Sequence, residues 1–534
     1  MIAIVCAALT ALGFYFSVGL GEQWWLAWLA PTPILWLAFG NTKGWKVLLL
    51  AWGACALGAT NIIRAYGGIL PAFVLALGIA GPALLFAIAV MVARRAYLAF
   101  GPVVGMLAFA ASWAALDFLQ SFDSAGGAIA TPAGAEVGAP ILMQSAALVG
   151  FTGITFILGA FSAGIAASLA ARKPMPTVVA VALFAANVGF GYLRMAQPPA
   201  GTVSVALIDS DDAVGKIVAT DKDATFRAID AYADAIAKLR GSHVQLIVLP
   251  ENISRVAPEW VAEAQDRLAK AAPHGATIVA GFNTFVDGAQ RNISWALLPA
   301  GQAANHVTVT YAKRRLVPVL ETTIFTPGPG PRTLANGIGL EICKDMDFHA
   351  MIRVDAVTTK PKLLAVPAWD FHEDDWSHAR VAIMRSIENG VPLARTARNG
   401  LLTLNDRYGR IVAQARTHGQ FTTLIGELPL DGHGGTTIYD HLGDAFGWLC
   451  LLVALGICAG SFLAPRKLEQ RISLFDGKLR SAYVSESYVV HDSKLGWLMS
   501  AMGQKRHFRP RPAMSALPPI ATAITTGLAV VFSL

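Results

Sequence analysis

The sequence predicts an α-helical membrane bundle joined to one α/β layered domain. Three observations carry that reading. Hydrophobic residues make up 54% of the 534-residue chain against 14% charged, with a mean hydropathy of +0.51, which is membrane-protein composition. Long apolar runs fill residues 1–196 and return at 442–463. Between them, short apolar runs alternate with amphipathic stretches, the pattern of strands mixed with helices.

Residues 1–20 open the bundle. They lack a basic start and a small-residue cleavage site, and further apolar runs follow at once, so they read as a span and not as a cleaved signal peptide. Further spans are predicted at 24–39, 47–63, 69–93, 101–119, 141–171 and 177–193, with an eighth at 442–463. Each is about long enough to cross ~30 Å of hydrocarbon. Pro31, Pro33 and Pro82 are expected to kink their helices, which a bundle tolerates.

With a cytoplasmic N-terminus, the inside loops hold Lys43, Lys46, Arg94, Arg95, Arg172, Lys173, Arg466, Lys467 and Arg471. The outside loops hold Glu22, Arg64 and a stretch with Asp123 and Glu136 but no Lys or Arg. This alternation follows the positive-inside rule with seven spans before the domain and one after, and sets the domain outside the cytoplasmic membrane. Trp24, Trp25 and Trp28 are read as an interfacial belt.

The net charge of +7 comes from the membrane flanks and the tail, because residues 201–440 carry 24 Lys/Arg against 26 Asp/Glu. No basic face accompanies the chemistry, which removes the main support for nucleic-acid binding. A transporter is disfavoured because the spans hold almost no mid-span charge, Asp117 lying near a span end. Residues 465–534 are basic and without period, and are expected to be largely disordered.

Pro198-Pro199 makes a linker from bundle to domain. Strands are predicted at 203–208, 244–249, 277–280, 293–298, 307–311, 338–342, 363–366 and 422–425, and helices at 224–239, 258–272 and 376–389. The organisation is thus a bundle at 1–196, a catalytic domain at 201–432, a last span at 442–463 and a tail at 465–534.

Candidate chemistry centres on Cys343, the only one of five cysteines outside the apolar segments. It ends the apolar run 338–342, where a thiol is held still and exposed at one end of a sheet. Glu251 follows Leu246-Ile247-Val248-Leu249-Pro250 and can act as a base. Lys313 follows the run 307–311 and can stabilise a thiolate or an oxyanion. Glu321 lies eight residues further on. Taken singly, each has a plain structural explanation as a cap, a strand-end charge or a loop charge. Asp370, His372, Glu373, Asp374, Asp375 and His378 lack zinc spacing and read as a solvated acidic loop at a helix start, with no metal.

In this order, Leu-Pro-Glu251, Tyr-Ala-Lys313 and Ile-Cys343 resemble the Glu-Lys-Cys triad of the nitrilase (carbon–nitrogen hydrolase) superfamily. Lys313-Arg-Arg-Leu-Val-Pro-Val-Leu-Glu321 and the seven-plus-one layout are similar to its apolipoprotein N-acyltransferase branch. The resemblance implies an αββα sandwich and a thioester acyl-enzyme with no cofactor. It further implies a phospholipid acyl donor, a lipoprotein acceptor, and a bacterial inner-membrane site with the domain on the periplasmic side. Glu321, Lys344, Asp345, Trp369 and Asp370 would support the triad or line its pocket. Two departures bear on that pocket: Lys344-Asp345 stands where the branch generally has Tyr-Glu, and only three residues separate Glu321 from Phe325-Thr326-Pro327-Gly328. The alternative is a membrane-anchored amidase acting on an extracytoplasmic amide. Placing the site on a membrane bundle favours a donor that lives in the bilayer.

Overall fold

A computed structural model of the chain describes residues 1–122, 126–299, 306–430 and 436–463. The tail expected to be disordered, and Asp123, lie outside the described residues. Among the described residues, six helices are long and apolar enough to cross a membrane: Gly44–Tyr66, Ala72–Phe100, Pro102–Gln120, Ala146–Ala171, Met175–Met195 and Ala445–Leu463. Two shorter apolar segments, Ile2–Ser17 and Trp24–Phe39, pack with them.

The bundle departs from the sequence expectation at three points. The second predicted span is broken into Trp24–Ala27 and Thr32–Phe39, with Pro31 and Pro33 at the break, where a ring cannot continue a helix's hydrogen bonding. Pro82 instead stays within Ala72–Phe100. Trp28 is no belt residue: it is buried, and its indole N–H donates to Glu136 Oε2 over 2.8 Å. A buried indole needs such a partner inside the protein, whereas an interfacial one is served by water and headgroups. Asp117 accepts from the Thr131 and Thr155 hydroxyls at 2.7 and 2.6 Å, so it is a satisfied packing group.

The domain is a sandwich of two six-stranded sheets. The strands are β1 (Gly201–Asp209), β2 (Leu246–Val248), β3 (Thr277–Val286), β4 (Ala289–Pro299), β5 (His306–Ala312), β6 (Arg332–Thr333), β7 (Ile338–Leu340), β8 (Leu363–Trp369), β9 (Leu393–Arg398), β10 (Leu401–Asn405), β11 (Ile411–Arg416) and β12 (Thr422–Leu430). One sheet runs β12-β1-β2-β3-β4-β5 and the other β11-β10-β9-β8-β7-β6. Between them lie Val205, Leu207, Val248, Ile338, Leu340, Ala365 and Leu402, all buried. That is the apolar inner layer two stacked sheets must share.

Helices complete the αββα order. Lys222–Ala237 and Val261–Ala271 cover the first sheet through Ile229, Tyr232, Ile236 and Leu268. His349–Thr359 and Asp375–Asn389 cover the second through Ile352 and Ala382, against Val366 and Leu393. Ile383, Met384 and Ile387 of the last helix pack instead into the membrane core. Bundle and domain accordingly form one unit, Met1–Leu463.

Candidate active site

Glu251, Lys313 and Cys343 each lie shortly beyond the end of a strand. Three residues beyond the end of β2, Glu251 N donates to the carbonyl of Ala368 on the other sheet (3.2 Å), while Gly281 N donates to Pro250 O (3.0 Å). A Cβ on Gly281 would lie 2.5 Å from Glu251 Cα, so only glycine lets β3 come this close. Lys313 follows β5 directly; its N–H donates to Asn292 O, and its carbonyl accepts from Gly328 N. There too a side chain is excluded, since a Cβ on Gly328 would lie 2.1 Å from Ala312 O.

Strand β7 stops at Leu340, short of the expected end, and Cys343 opens a turn of 3₁₀ helix, Cys343–Asp347. Its φ of +43° is rare for a side chain bearing a Cβ, and such strain concentrates at functional sites. The thiol faces the carbonyl of Trp369 at 3.6 Å.

Lys313 Nζ lies 2.8 Å from Glu251 Oε1 and 2.8 Å from Glu321 Oε2, with all three side chains largely buried. Asn292 Nδ2, on β4, donates to both acids, at 2.6 Å to Glu251 and 2.8 Å to Glu321. Glu321 also accepts from Val317 N at 2.8 Å, which folds the segment from 313 to 321 back on itself.

The electrostatics follow from this burial. Desolvation pushes the Glu251 carboxyl above its ordinary value, against the pull of Lys313. Burial disfavours the Lys313 ammonium, but Glu251, Glu321 and Cys343 outweigh it and hold the group charged. The Cys343 thiol is pushed well up by burial and by the nearby Glu251 charge, with Lys313 opposing. The resting sulfur therefore keeps its proton, and a base is needed to remove it.

The remaining candidates have defined places. Asp345 is buried; it accepts from Ile342 N (3.1 Å), Arg314 N (3.1 Å) and Arg315 N (2.8 Å), and lies 2.7 Å from Tyr311 Oη. It ties the turn after Lys313 to the turn holding Cys343. Asp370 is buried and bidentate with Arg395, at 2.5 and 2.9 Å. Trp369 is held under the Arg398 guanidinium, 3.8 Å from its ring centroid. Lys344 Nζ lies 3.2 Å from Asp347 Oδ2.

The loop after β8 is not the solvated acidic loop expected. Asp370, Asp374 and Asp375 are buried, and each has its own cationic partner: Arg395 for Asp370, His378 for Asp374 and Arg416 for Asp375. Tyr66, from the bundle, donates to Asp374 at 2.5 Å. Burial demands such partners, and Arg395 and Arg416 lie far away in sequence, His378 one helical turn on.

Asn292, Arg395, Arg398 and Tyr66 were not singled out from the sequence. Asn292 carried a usable signal, because it precedes the apolar run 293–298 and shares a face with Ser294 and Ala296, a polar group where the strand period asks for an inward side chain.

A family model described as carbon–nitrogen hydrolase matches residues 203–443. The match takes in nearly the whole sandwich, from β1 to β12. Outside the hydrolase domain the likeness continues into the bundle. The apolipoprotein N-acyltransferase of Geobacter metallireducens is 24% identical over 509 residues, covering 86% of this chain and 95% of that protein. The protein of the same name from Vibrio parahaemolyticus is 25% identical, covering 84% of this chain and 94% of its own length. Among solved structures, a carbon–nitrogen hydrolase superfamily protein from Xanthomonas campestris is 18% identical and covers 42% of this chain and 90% of that one, with a TM-score of 0.33.

Proposed function

We propose that this protein is a member of the carbon–nitrogen hydrolase superfamily and a bacterial inner-membrane N-acyltransferase, moving an acyl chain from phospholipid to the N-terminal amine of a lipoprotein. The observation that carries the reading is the buried Glu251–Lys313–Glu321 cluster on Asn292, set beside a strained strand-end thiol. Relatives named apolipoprotein N-acyltransferase along most of their length supply the substrate class. Seven spans before the domain and one after, with the domain on the periplasmic side, complete the proposal.

Glu251 takes the Cys343 proton as sulfur attacks the donor's ester carbonyl. Lys313 Nζ and the Lys344 backbone N–H hold the oxyanion. Collapse breaks the C–O bond, and protonated Glu251 returns its proton to the departing lysophospholipid oxygen, leaving a thioester on Cys343. The lipoprotein α-amine then attacks that thioester, Glu251 removes a proton from nitrogen, and the C–S bond breaks to give the amide and a thiol. Glu321 and Asn292 keep Lys313 aimed by sharing its charge and that of Glu251.

Replacing Cys343 by Ala should abolish covalent labelling by an acyl donor, read by intact-protein mass spectrometry. Labelling that persists in the variant refutes the nucleophile. Mass spectrometry of lipoprotein N-termini in a deletion strain tests the substrate, and N-acylation that continues unchanged there refutes this acceptor.

A further inference from the structure

Two cations meet over one ring beside the nucleophile. The Arg315 guanidinium lies 4.4 Å, and Lys344 Nζ 5.8 Å, from the Phe348 ring centroid. Lys344 directly follows Cys343, and Arg315 lies two residues beyond Lys313. The same carboxylate fixes both turns: Asp345, itself on the Cys343 turn, accepts from Arg315 N. The two charges differ in what already holds them. Lys344 is nearly buried and balanced by Asp347. Arg315 is exposed, and among the described residues its guanidinium meets no carboxylate.

This corner adjoins the bundle. Ala128 N, in the segment between two membrane helices, donates to Asp347 O at 2.9 Å, and Gly127 packs so closely on Asp347 that a Cβ would lie 2.6 Å from its carbonyl oxygen. The cations therefore stand near the junction of the Cys343 turn with the bundle, the side from which a bilayer lipid would bring its ester to Cys343. In a glycerophospholipid the phosphate is only a few bonds from the ester carbonyl, so a group holding it must lie close beside the nucleophile. A guanidinium stacked on an aromatic ring keeps its N–H edge free and pre-aimed for a phosphate.

We infer that Arg315, braced with Lys344 over Phe348, is the subsite for the phosphodiester of the acyl donor, and so selects phosphate-bearing diacyl lipids over neutral ones. This rests on the acyl-transfer reading above. Lys344 offsets Asp347 and prevents that acid from repelling the incoming anion, while Arg315 supplies the free donor. The position of Lys344 thus bears on which lipid is accepted, through headgroup charge.

The test compares acylation of Cys343 in the full-length chain by a diacyl phospholipid and by diacylglycerol of the same chains, each in mixed micelles, as a ratio of kcat/KM. Arg315→Gln should lower the phospholipid-to-diacylglycerol ratio about tenfold, the scale of one charge-assisted hydrogen bond. Arg315→Glu should lower it further, and Arg315→Lys should restore most of it. Because the ratio is internal to each variant, partial loss of folded protein does not move it. A ratio unchanged in both Arg315→Gln and Arg315→Glu overturns the subsite while leaving the triad mechanism standing. Wild-type protein that takes an acyl group from neither donor overturns the acyl-transfer reading, and the subsite with it.

Discussion

The two faces of the sandwich are covered in opposite ways. Over the first sheet, Lys222–Ala237 and Val261–Ala271 bury one side and carry exposed ion pairs on the other, such as Arg267 with Asp230 and Glu263. Over the second, every residue of Asp375–Asn389 from Ala379 onward is buried, because one side meets the sheet and the other the membrane core. The first pair of helices needs only an apolar stripe. The second helix must satisfy its polar groups across the junction. Arg380 donates to the carbonyls of Gly19 and Gly21, Ser377 to that of Gly19, and Glu388 Oε1 accepts from Phe151 N at 2.8 Å.

The Phe151 N–H is free to point at Glu388 because its helix is kinked at Val149 and Gly150. The helix Asp375–Asn389, which carries Glu388, follows Trp369 and Asp370 in the chain. The segment beside Cys343 and the bundle thus share one polar seam, while the helices over the first sheet turn their ion pairs to solvent.

That contrast is breakable. The largest effect belongs to Glu388→Ala, which leaves the fully buried Arg385 without its counter-charge. Arg385 Nη1 lies 2.7 Å from Glu388 Oε2, close enough for an ion pair though not aligned for a hydrogen bond. Losing one partner of such a pair costs about 3–5 kcal/mol. Thermal unfolding of the purified protein should fall markedly, and the double variant Arg385→Met/Glu388→Met should recover part of the loss. If the single variant unfolds like wild type, the seam is not what joins the two parts.

A pH effect should come next. Burial disfavours the His378 imidazolium, but Asp374, then Asp370 and Asp347, outweigh it and raise its pKa to about 9. An unfolded histidine titrates near about 6.5. Protonated His378 thus stabilises the fold fully below the lower value, and its contribution is lost as pH rises through the higher one. His378→Gln should flatten the stability profile between the two; a profile that keeps its slope shows that the charge of His378 is not coupled to folding. The smallest effect is expected on the other face, where Arg267→Ala should cost no more than about 1 kcal/mol, because its partners are solvated and screened.

Much of this was legible beforehand. Apolar runs located the bundle, and strand-end chemistry singled out Glu251, Lys313 and Cys343; the first two form a buried ion pair, and their charges reach the Cys343 thiol. Strands β9 and β10 were harder to read from their residues, since Arg395, Thr396, Arg398, Thr403 and Asn405 are buried and blur the alternation of a strand. Their burial is tolerable only because Asp370, Val248 O and Asn252 O wait on other elements. Asp375–Asn389 hid its second face for the same reason.

By itself, the sequence determined which segments leave water and which side chains stand at strand ends, because hydrophobic period and chain breaks are local properties. Only the tertiary structure decided that Asn292 sits between two acids, that the acidic loop is buried and paired, and that Arg315 and Lys344 share one ring. Those arrangements depend on partners tens to hundreds of residues away, and the energy of a buried charge is set by what stands opposite it.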